Sequence, residues 1–374
     1  MEHTRTGATC AALLVVLTVP AIVRWRSSRW HAAAGEHVQP QTGPRVLTLI
    51  PARNEEDQIA ETVDSVRSQT RPPDRIVVID DSSTDRTATL ARSRGVDVFE
   101  TVGNVARKAG ALNQAYAQLA KDFDYVLEMD ADTTLHPRFL EEALAEIESS
   151  RLLGGVCSRF FAKPGKGLLQ RLQALEYARY ENVCDRRRGR VNVLSGSAAL
   201  LRTAVLPEKP WSEDSLVEDY ALTLYLRRNG FGIKSAKRAF VYTDTMPTLG
   251  ALWRQRVRWE RGALDELRRE GWKPHTRQDF LARLPEYGAI VVLALWLSAM
   301  GVVASLHGGM SFHPIWLAPV AVVAVGRVAT VWQLSWRERL IAASFFPEQL
   351  YALLRHGWML RSAWLSFRRA PAGW

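Results

Sequence analysis

Residues 125–150, YVLEMDADTTLHPRFLEEALAEIESS, decide the fold. YVLEM is an apolar run of strand length, and DADT sets two carboxylates at its end. PRFLEEALAEIESS then spaces its apolar residues as an amphipathic helix does. The same unit recurs toward the N-terminus. RVLTLIPA (45–52) leads into EEDQIAETVDSVRSQ (55–69), RIVVIDD (75–81) into TDRTATLARSR (84–94), and VDVFET (96–101) into KAGALNQAYAQLAK (108–121). Alternating units of this kind predict a mostly parallel, Rossmann-like α/β sheet with helices on both faces. The soluble block runs over residues 43–272.

In such a sheet, ligands bind beyond the carboxyl ends of the strands. Three of those ends carry polar clusters: Pro51-Ala52-Arg53-Asn54-Glu55, Asp80-Asp81 and Asp130-Ala131-Asp132. Helix capping uses one such residue per helix, and two solvated caps are the plain alternative for Asp130 and Asp132. Carboxylates converging on one edge repel one another, so a cation is expected there. Oxygen donors without His or Cys point to Mg²⁺ or Mn²⁺, whose shell substrate phosphates complete. The edge is therefore suited to a nucleoside diphosphate. No GxxxxGK[ST], GxGxxG or GxSxG occurs, which removes the P-loop, dinucleotide and hydrolase-elbow readings. Lys108 is either a point charge for a phosphate or an ordinary surface lysine.

The 374 residues are 47% apolar and 24% charged, which excludes both a disordered tail and a wholly membrane-embedded transporter. Three cysteines (Cys10, Cys157, Cys184) form neither a disulfide framework nor a CxxC zinc site. With 49 Lys+Arg against 39 Asp+Glu, the net charge is +10. The basic residues cluster beside apolar spans and in DRRRGR (185–190), not on a nucleic-acid-binding module, so no nucleic-acid partner is expected.

Residues 8–23 are uncharged and are followed by RWRSSRW, so residues 1–30 read as an uncleaved membrane anchor; a cleaved signal or a buried helix is the alternative. Residues 288–306 and 314–332 are apolar, joined by a link without Lys or Arg, and WRER follows. Residues 285–335 therefore read as a transmembrane hairpin with both ends in the cytoplasm. Residues 336–374 mix Trp and Arg as re-entrant or interfacial segments do. The expected location is the plasma membrane, with residues 43–272 on its cytoplasmic face.

PARNEE, VIDDSSTDRT, KAGALN and LEMDADT, followed by VLSGSAALLR, VEDYALTLYLRRNGF and QRVRWERG, resemble the motif series of family 2 glycosyltransferases of the GT-A fold. The likeness is to the membrane-bound processive type that makes cellulose, chitin, hyaluronan and poly-N-acetylglucosamine. It implies that Asn54 and Glu55 contact the nucleobase and Asp80 the uridine, and that Lys108 meets the nucleotide. It also implies that Asp130 and Asp132 bind the diphosphate through the metal. Asp219, beside Glu218, would be the general base. Gln255, Arg258 and Trp259 would form a QxxRW motif at the diphosphate and acceptor, with Ser195 and Gly196 lining the acceptor site. Val217 departs from the Thr that cellulose synthases carry before the Glu-Asp pair.

Two chemical points accompany the resemblance. Inverting transfer needs one carboxylate base and neutralisation of the departing diphosphate. Residues 249–272 read as a helix with Leu249, Leu252, Trp253, Val257, Leu264 and Leu267 on one side and Gln255, Arg258 and Trp259 roughly opposite. A Trp on a polar face suits sugar stacking; an interfacial membrane anchor is the alternative. The expected activity is transfer from a UDP-sugar, with GlcNAc or Glc as the sugar, to a growing β-linked polysaccharide. Single addition to a membrane lipid is the competing enzyme reading, and a catalytically dead scaffold the non-enzymatic one. Few spans leave room for an export partner or a second copy of the chain.

Overall fold

The computed structural model describes residues 43–163, 165, 167–307 and 317–369. The expected N-terminal anchor and the tip of the expected hairpin lie outside these residues.

Four strands appear where alternating apolar runs predict them: β1 (Val46–Ala52), β2 (Arg75–Asp80), β3 (Asp97–Glu100) and β4 (Tyr125–Met129). They pair in parallel in the order β3-β2-β1-β4. The helices between them are α1 (Ile59–Arg67), α2 (Thr87–Ser93) and α3 (Arg107–Leu119), with α4 (Phe139–Glu148) following β4. β1 and β4 are central, and their side chains are buried on both faces. On one face Ile50, Val78 and Leu127 pack with Ile59 and Val63 of α1 and Phe139 and Leu140 of α4. On the other, Leu47, Leu49, Val77 and Val126 pack with Leu112 and Ala115 of α3. Each fully buried Leu or Ile contributes about 1.5–3 kcal/mol, so the period-2 alternation holds helices on both faces.

The second half of the sheet departs from the parallel expectation. After a short β5 (Thr134–Leu135) come β6 (Leu153–Ala162), α5 (Leu168–Arg186), β7 (Ala198–Arg202), α6 (Glu218–Arg228) and β8 (Gly232–Thr243). β7 inserts between β4 and β6 and runs antiparallel to both, giving a mixed eight-stranded sheet in the order β3-β2-β1-β4-β7-β6-β8-β5. Its AALLR run is apolar and nearly fully buried, but too short for periodicity to announce a direction. Reversal matters for the site. The start of β7 lies where β4 ends, with Ala198 opposite Met129 and the Asp130 N–H donating to the Ser197 carbonyl at 3.2 Å.

α7 (Leu249–Glu270) matches the expected helix, but its buried face differs. Leu252 and Leu267 are buried as expected, whereas Leu249 is exposed and Arg256, Gly262 and Glu266 are buried. Arg256 is admitted because Glu176 pairs with it at 2.9 Å.

The chain divides into two compact units. One is built from residues 43–275 with 358–369. The other, 276–357, contains α8 (Arg277–His307), α9 (Leu317–Ala329), α10 (Trp336–Ala343) and the first turns of α11 (Phe345–Phe367). Within α8, Arg277–Ala299 is the one described stretch long and apolar enough to cross a membrane. The last turns of α11 belong to the first unit. There Trp358 meets Trp253 edge-on with ring centroids 6.4 Å apart, and the Ser362 hydroxyl donates to the Val257 carbonyl at 3.2 Å.

Candidate active site

At the end of β1, Asn54 adopts φ 58°, a left-handed conformation that Asn tolerates better than most residues. Its side-chain oxygen accepts from the Thr84 N–H at 2.8 Å, and its own N–H donates to the Ser83 hydroxyl at 3.1 Å, tying the β1 and β2 ends together. The Glu55 N–H donates to the Thr87 hydroxyl at 2.8 Å. Asp80 and Asp81 are buried at the end of β2. Asp80 accepts from the Ser83 N–H at 3.3 Å, and Asp81 from the Thr101 hydroxyl and the Asn104 amide, both at 2.8 Å.

Charge accumulates along this edge. Burial, then the neighbouring Asp132 and Asp130, push the Glu55 carboxyl up to about 7. Burial and Asp130 push Asp132 up to about 6. Both shifts come first from burial and then from neighbouring negative charge. Among the described residues no three His, Cys, Asp or Glu side chains converge to hold a metal ion unaided. Two carboxylates, Asp130 and Asp132, would suit a hard cation that takes its remaining ligands from phosphate.

Lys108, in the first turn of α3, is surrounded by acids. Its ammonium reaches Asp130 at 2.7 Å, Glu128 at 3.0 Å and Glu218 at 3.4 Å. Burial alone would depress its pKa, but Asp130, Glu128 and Glu218 outweigh burial and hold it well above the usual lysine value. Lys108 is thus not an ordinary surface lysine. Glu128 is a residue that sequence reasoning passed over. Strand alternation puts it on the α3 face, beside Val126, where its second oxygen accepts from the Trp211 indole N–H at 2.7 Å. A glutamate inside a buried apolar strand was the available signal, since such a group requires partners. Asn113 of KAGALN was missed too. Its amide donates to the Trp211 carbonyl at 2.8 Å and its oxygen accepts from the Trp211 N–H at 3.2 Å. Together they hold the loop that leads to α6.

Glu218 and Asp219 open α6, where the helix N-terminus favours negative charge. One Asp219 oxygen accepts from the Tyr220 N–H at 2.7 Å and the other from the Gly196 N–H at 3.2 Å. Burial, then Glu218, raise its carboxyl to about 7 against the opposing pull of Lys108. Gly196 marks the meeting point. A Cβ there would lie 3.1 Å from Lys108 Nζ, 3.5 Å from Asp219 Oδ2 and 4.0 Å from Asp130 Oδ2. Ser195 beside it shares a 3.3 Å hydroxyl contact with Ser197.

On α7, Trp259 is 38% exposed, and the Arg256 guanidinium lies 4.6 Å from its ring centroid and 5.8 Å from that of Tyr177. Burial raises the Tyr177 hydroxyl, with Asp132 among the charges that add to the effect. The apolar side that the sequence predicts for α7, with Leu249, Leu252, Trp253, Val257, Leu264 and Leu267, does not include Arg256, and nothing in it points to Glu176 or Tyr177. Arg258 is half-buried, and Gln255 Oε1 is buried with no hydrogen-bond partner among the described residues. The structure thus gathers Lys108, Asp130, Gly196, Glu218 and Asp219 around one point, with Glu55 and Asp132 in the same field. Gln255, Arg258 and Trp259 lie on a separate helix.

A mixed sheet with acids at its strand ends and a second acidic pair on a returning helix is the architecture of GT-A glycosyltransferases. The mannosyltransferase PcManGT from Pyrobaculum calidifontis, solved with GDP-Man and Mn2+, has the same fold: TM-score 0.63 at 18% identity, covering 96% of this chain and 99% of that one. The chain belongs to glycosyltransferase family 2, since the family described as "Glycosyltransferase like family 2" matches residues 44–262. A poly-beta-1,6-N-acetyl-D-glucosamine synthase of Staphylococcus aureus (strain MSSA476) is 31% identical over 232 residues, 60% of this chain and 56% of that protein. One from Staphylococcus epidermidis is 29% identical over 235 residues, with the same shares covered. The chain therefore spans about half the length of the curated relatives it matches.

Proposed function

We propose that this protein is an inverting glycosyltransferase that moves a sugar from a UDP-sugar to the end of a growing β-linked polysaccharide, with GlcNAc as the favoured donor sugar. The observation that carries the reading is the convergence at Gly196 of Asp219, Lys108 and Asp130. A carboxylate that would take a proton thus stands beside Lys108, a cation that would meet the departing diphosphate, and beside Asp130, which would hold the metal. The relatives named as poly-beta-1,6-N-acetyl-D-glucosamine synthases support polymer synthesis and N-acetylglucosamine.

Asn54, Glu55 and Asp80 would seat the uridine at the β1 and β2 ends. Asp130 and Asp132 would hold Mg²⁺ or Mn²⁺, which supplies charge neutralisation to the diphosphate when bound. The acceptor hydroxyl, lying over Ser195 and Gly196, gives its proton to Asp219 as the glycosidic bond forms on the face opposite the leaving nucleotide. Lys108, already within reach of Asp130, shifts toward the diphosphate as its charge develops. Arg258 would add a second cation and Trp259 a stacking surface for the acceptor sugar. In this reading the protein is integral to the plasma membrane and acts in the cytoplasm, and the apolar stretch Arg277–Ala299 supports a membrane location.

The test is product size from the purified protein in lipid nanodiscs, supplied with Mn²⁺ and each labelled UDP-sugar in turn. A ladder or high-mass polymer from one donor is the expected result. A single lipid-sized product would replace polymer synthesis by transfer to a membrane lipid.

A further inference from the structure

Gly262 stands in the middle of α7, where a glycine is unfavourable relative to alanine unless something needs the space. Here the space is used. A Cβ at 262 would lie 2.7 and 2.9 Å from the two Val217 methyl carbons and 3.0 Å from Leu216 Cβ, closer than packed carbons approach. One turn along the same face, the buried Glu266 carboxyl, pushed up by burial, lies beside the Ser215 side chain, which lowers it in part. The Ser215 hydroxyl oxygen in turn accepts from the Val217 N–H at 3.2 Å. Val217 is the buried N-cap of α6, and its carbonyl accepts from the Ala221 N–H at 3.1 Å. The next two residues are Glu218 and Asp219. Two α7 residues four apart therefore meet residues 215–217 immediately before the acidic pair, Gly262 by close packing and Glu266 beside Ser215.

We infer that Gly262 and Glu266 are positioning residues, seating residues 215–217 on α7 so that Asp219 is set in register with the Gln255, Arg258 and Trp259 helix. The inference rests on Asp219 being the base of the proposed reaction. Neither Gly262 nor Glu266 touches substrate. Their effect passes through the backbone of residues 215–217, and Val217 is the residue whose bulk fits the notch that Gly262 leaves. An added methyl at 262 must push Val217 away from α7, and Asp219 moves with it.

The experiment compares purified full-length wild type with Gly262→Ala, Val217→Ala and the double variant. It measures kcat and KM for the labelled UDP-sugar the wild type consumes, and UDP affinity by calorimetry. Gly262→Ala is expected to lower kcat about a hundredfold, the scale of a displacement of about 1 Å, with UDP affinity within about threefold. Adding Val217→Ala removes the clashing methyls and recovers most of the lost kcat per folded protein, with the melting temperature of each variant measured alongside so that a stability loss is read separately. An unchanged kcat in Gly262→Ala, or a loss that Val217→Ala fails to relieve, overturns the inference. If Gly262→Ala does not fold, Glu266→Ala against Glu266→Gln decides. A kcat about tenfold lower in the alanine variant alone supports the grip, and equal kcat in both overturns it. Full activity of Asp219→Asn would remove the base reading, while the rescue of kcat by the double variant stays separately readable.

Discussion

Residues at the Asp130 edge follow their strands, whereas residues at the Asp219 edge precede theirs. Asn54 and Glu55 continue β1, Asp80 ends β2 and Asp130 continues β4, so each is placed by a parallel neighbour already pointing the same way. Ser195 and Gly196 come before β7, and Glu218 and Asp219 open a helix reached through a loop. The first edge is assembled from consecutive βα units. The second depends on an antiparallel return strand, the Asn113–Trp211 bonds and the grip of α7. The charges differ to match. Glu55 and Asp132 are raised by burial and by neighbouring acids, whereas the half-buried cation Lys108 pairs with Asp130 and lies within the field of Asp219.

If the comparison holds, damage on the two sides separates kinetically. Asp219→Asn should lower kcat about a thousandfold, the range of a lost general base, while UDP binding by calorimetry stays near wild type. Asp132→Asn, or chelation of divalent metal, should cost about a hundredfold, appear chiefly as weaker donor binding, and for chelation be reversed by Mg²⁺ or Mn²⁺. Metal-independent transfer would break the assignment of Asp130 and Asp132.

The pH profile sharpens the contrast further. A base raised to about 7 is protonated and inactive below that pH and ionised above it. The kcat/KM profile should therefore fall about tenfold per unit below pH 7 and level off above it. A flat profile between pH 5.5 and 7 would show that Asp219 does not limit the reaction. The smallest effect is expected at Trp259, where loss of about 1 kcal/mol of stacking corresponds to about fivefold. Trp259→Ala should shorten the product ladder by that order while leaving UDP affinity alone. An unaltered ladder would return this Trp to a role in anchoring.

Local physics made the Asp130 edge legible. Apolar runs of strand length, each ending in carboxylates and followed by a helix-spaced segment, announce β1 to β4 without reference to distant residues. The motif series also marked Gly196, Glu218 and Asp219 as a group. The direction of β7 was not legible, because four apolar residues buried on both faces carry no sign of which neighbour they pair with. Arg256 escaped notice for a related reason. A charged residue is assigned to the polar face until its partner is known, and Glu176 lies 80 positions away in the chain.

The sequence by itself determined the alternating sheet, the acids at its strand ends and the family, because strand period, helix period and charge placement are local properties. The tertiary structure decided that Lys108 faces Glu128, Asp130 and Glu218, that Gly196 leaves room between Lys108 and Asp219, and that Gly262 admits Val217. Each of these is a contact between segments far apart in sequence. The Gly196 position in particular follows from β7 pairing between β4 and β6, which brings the residues before β7 to the end of β4.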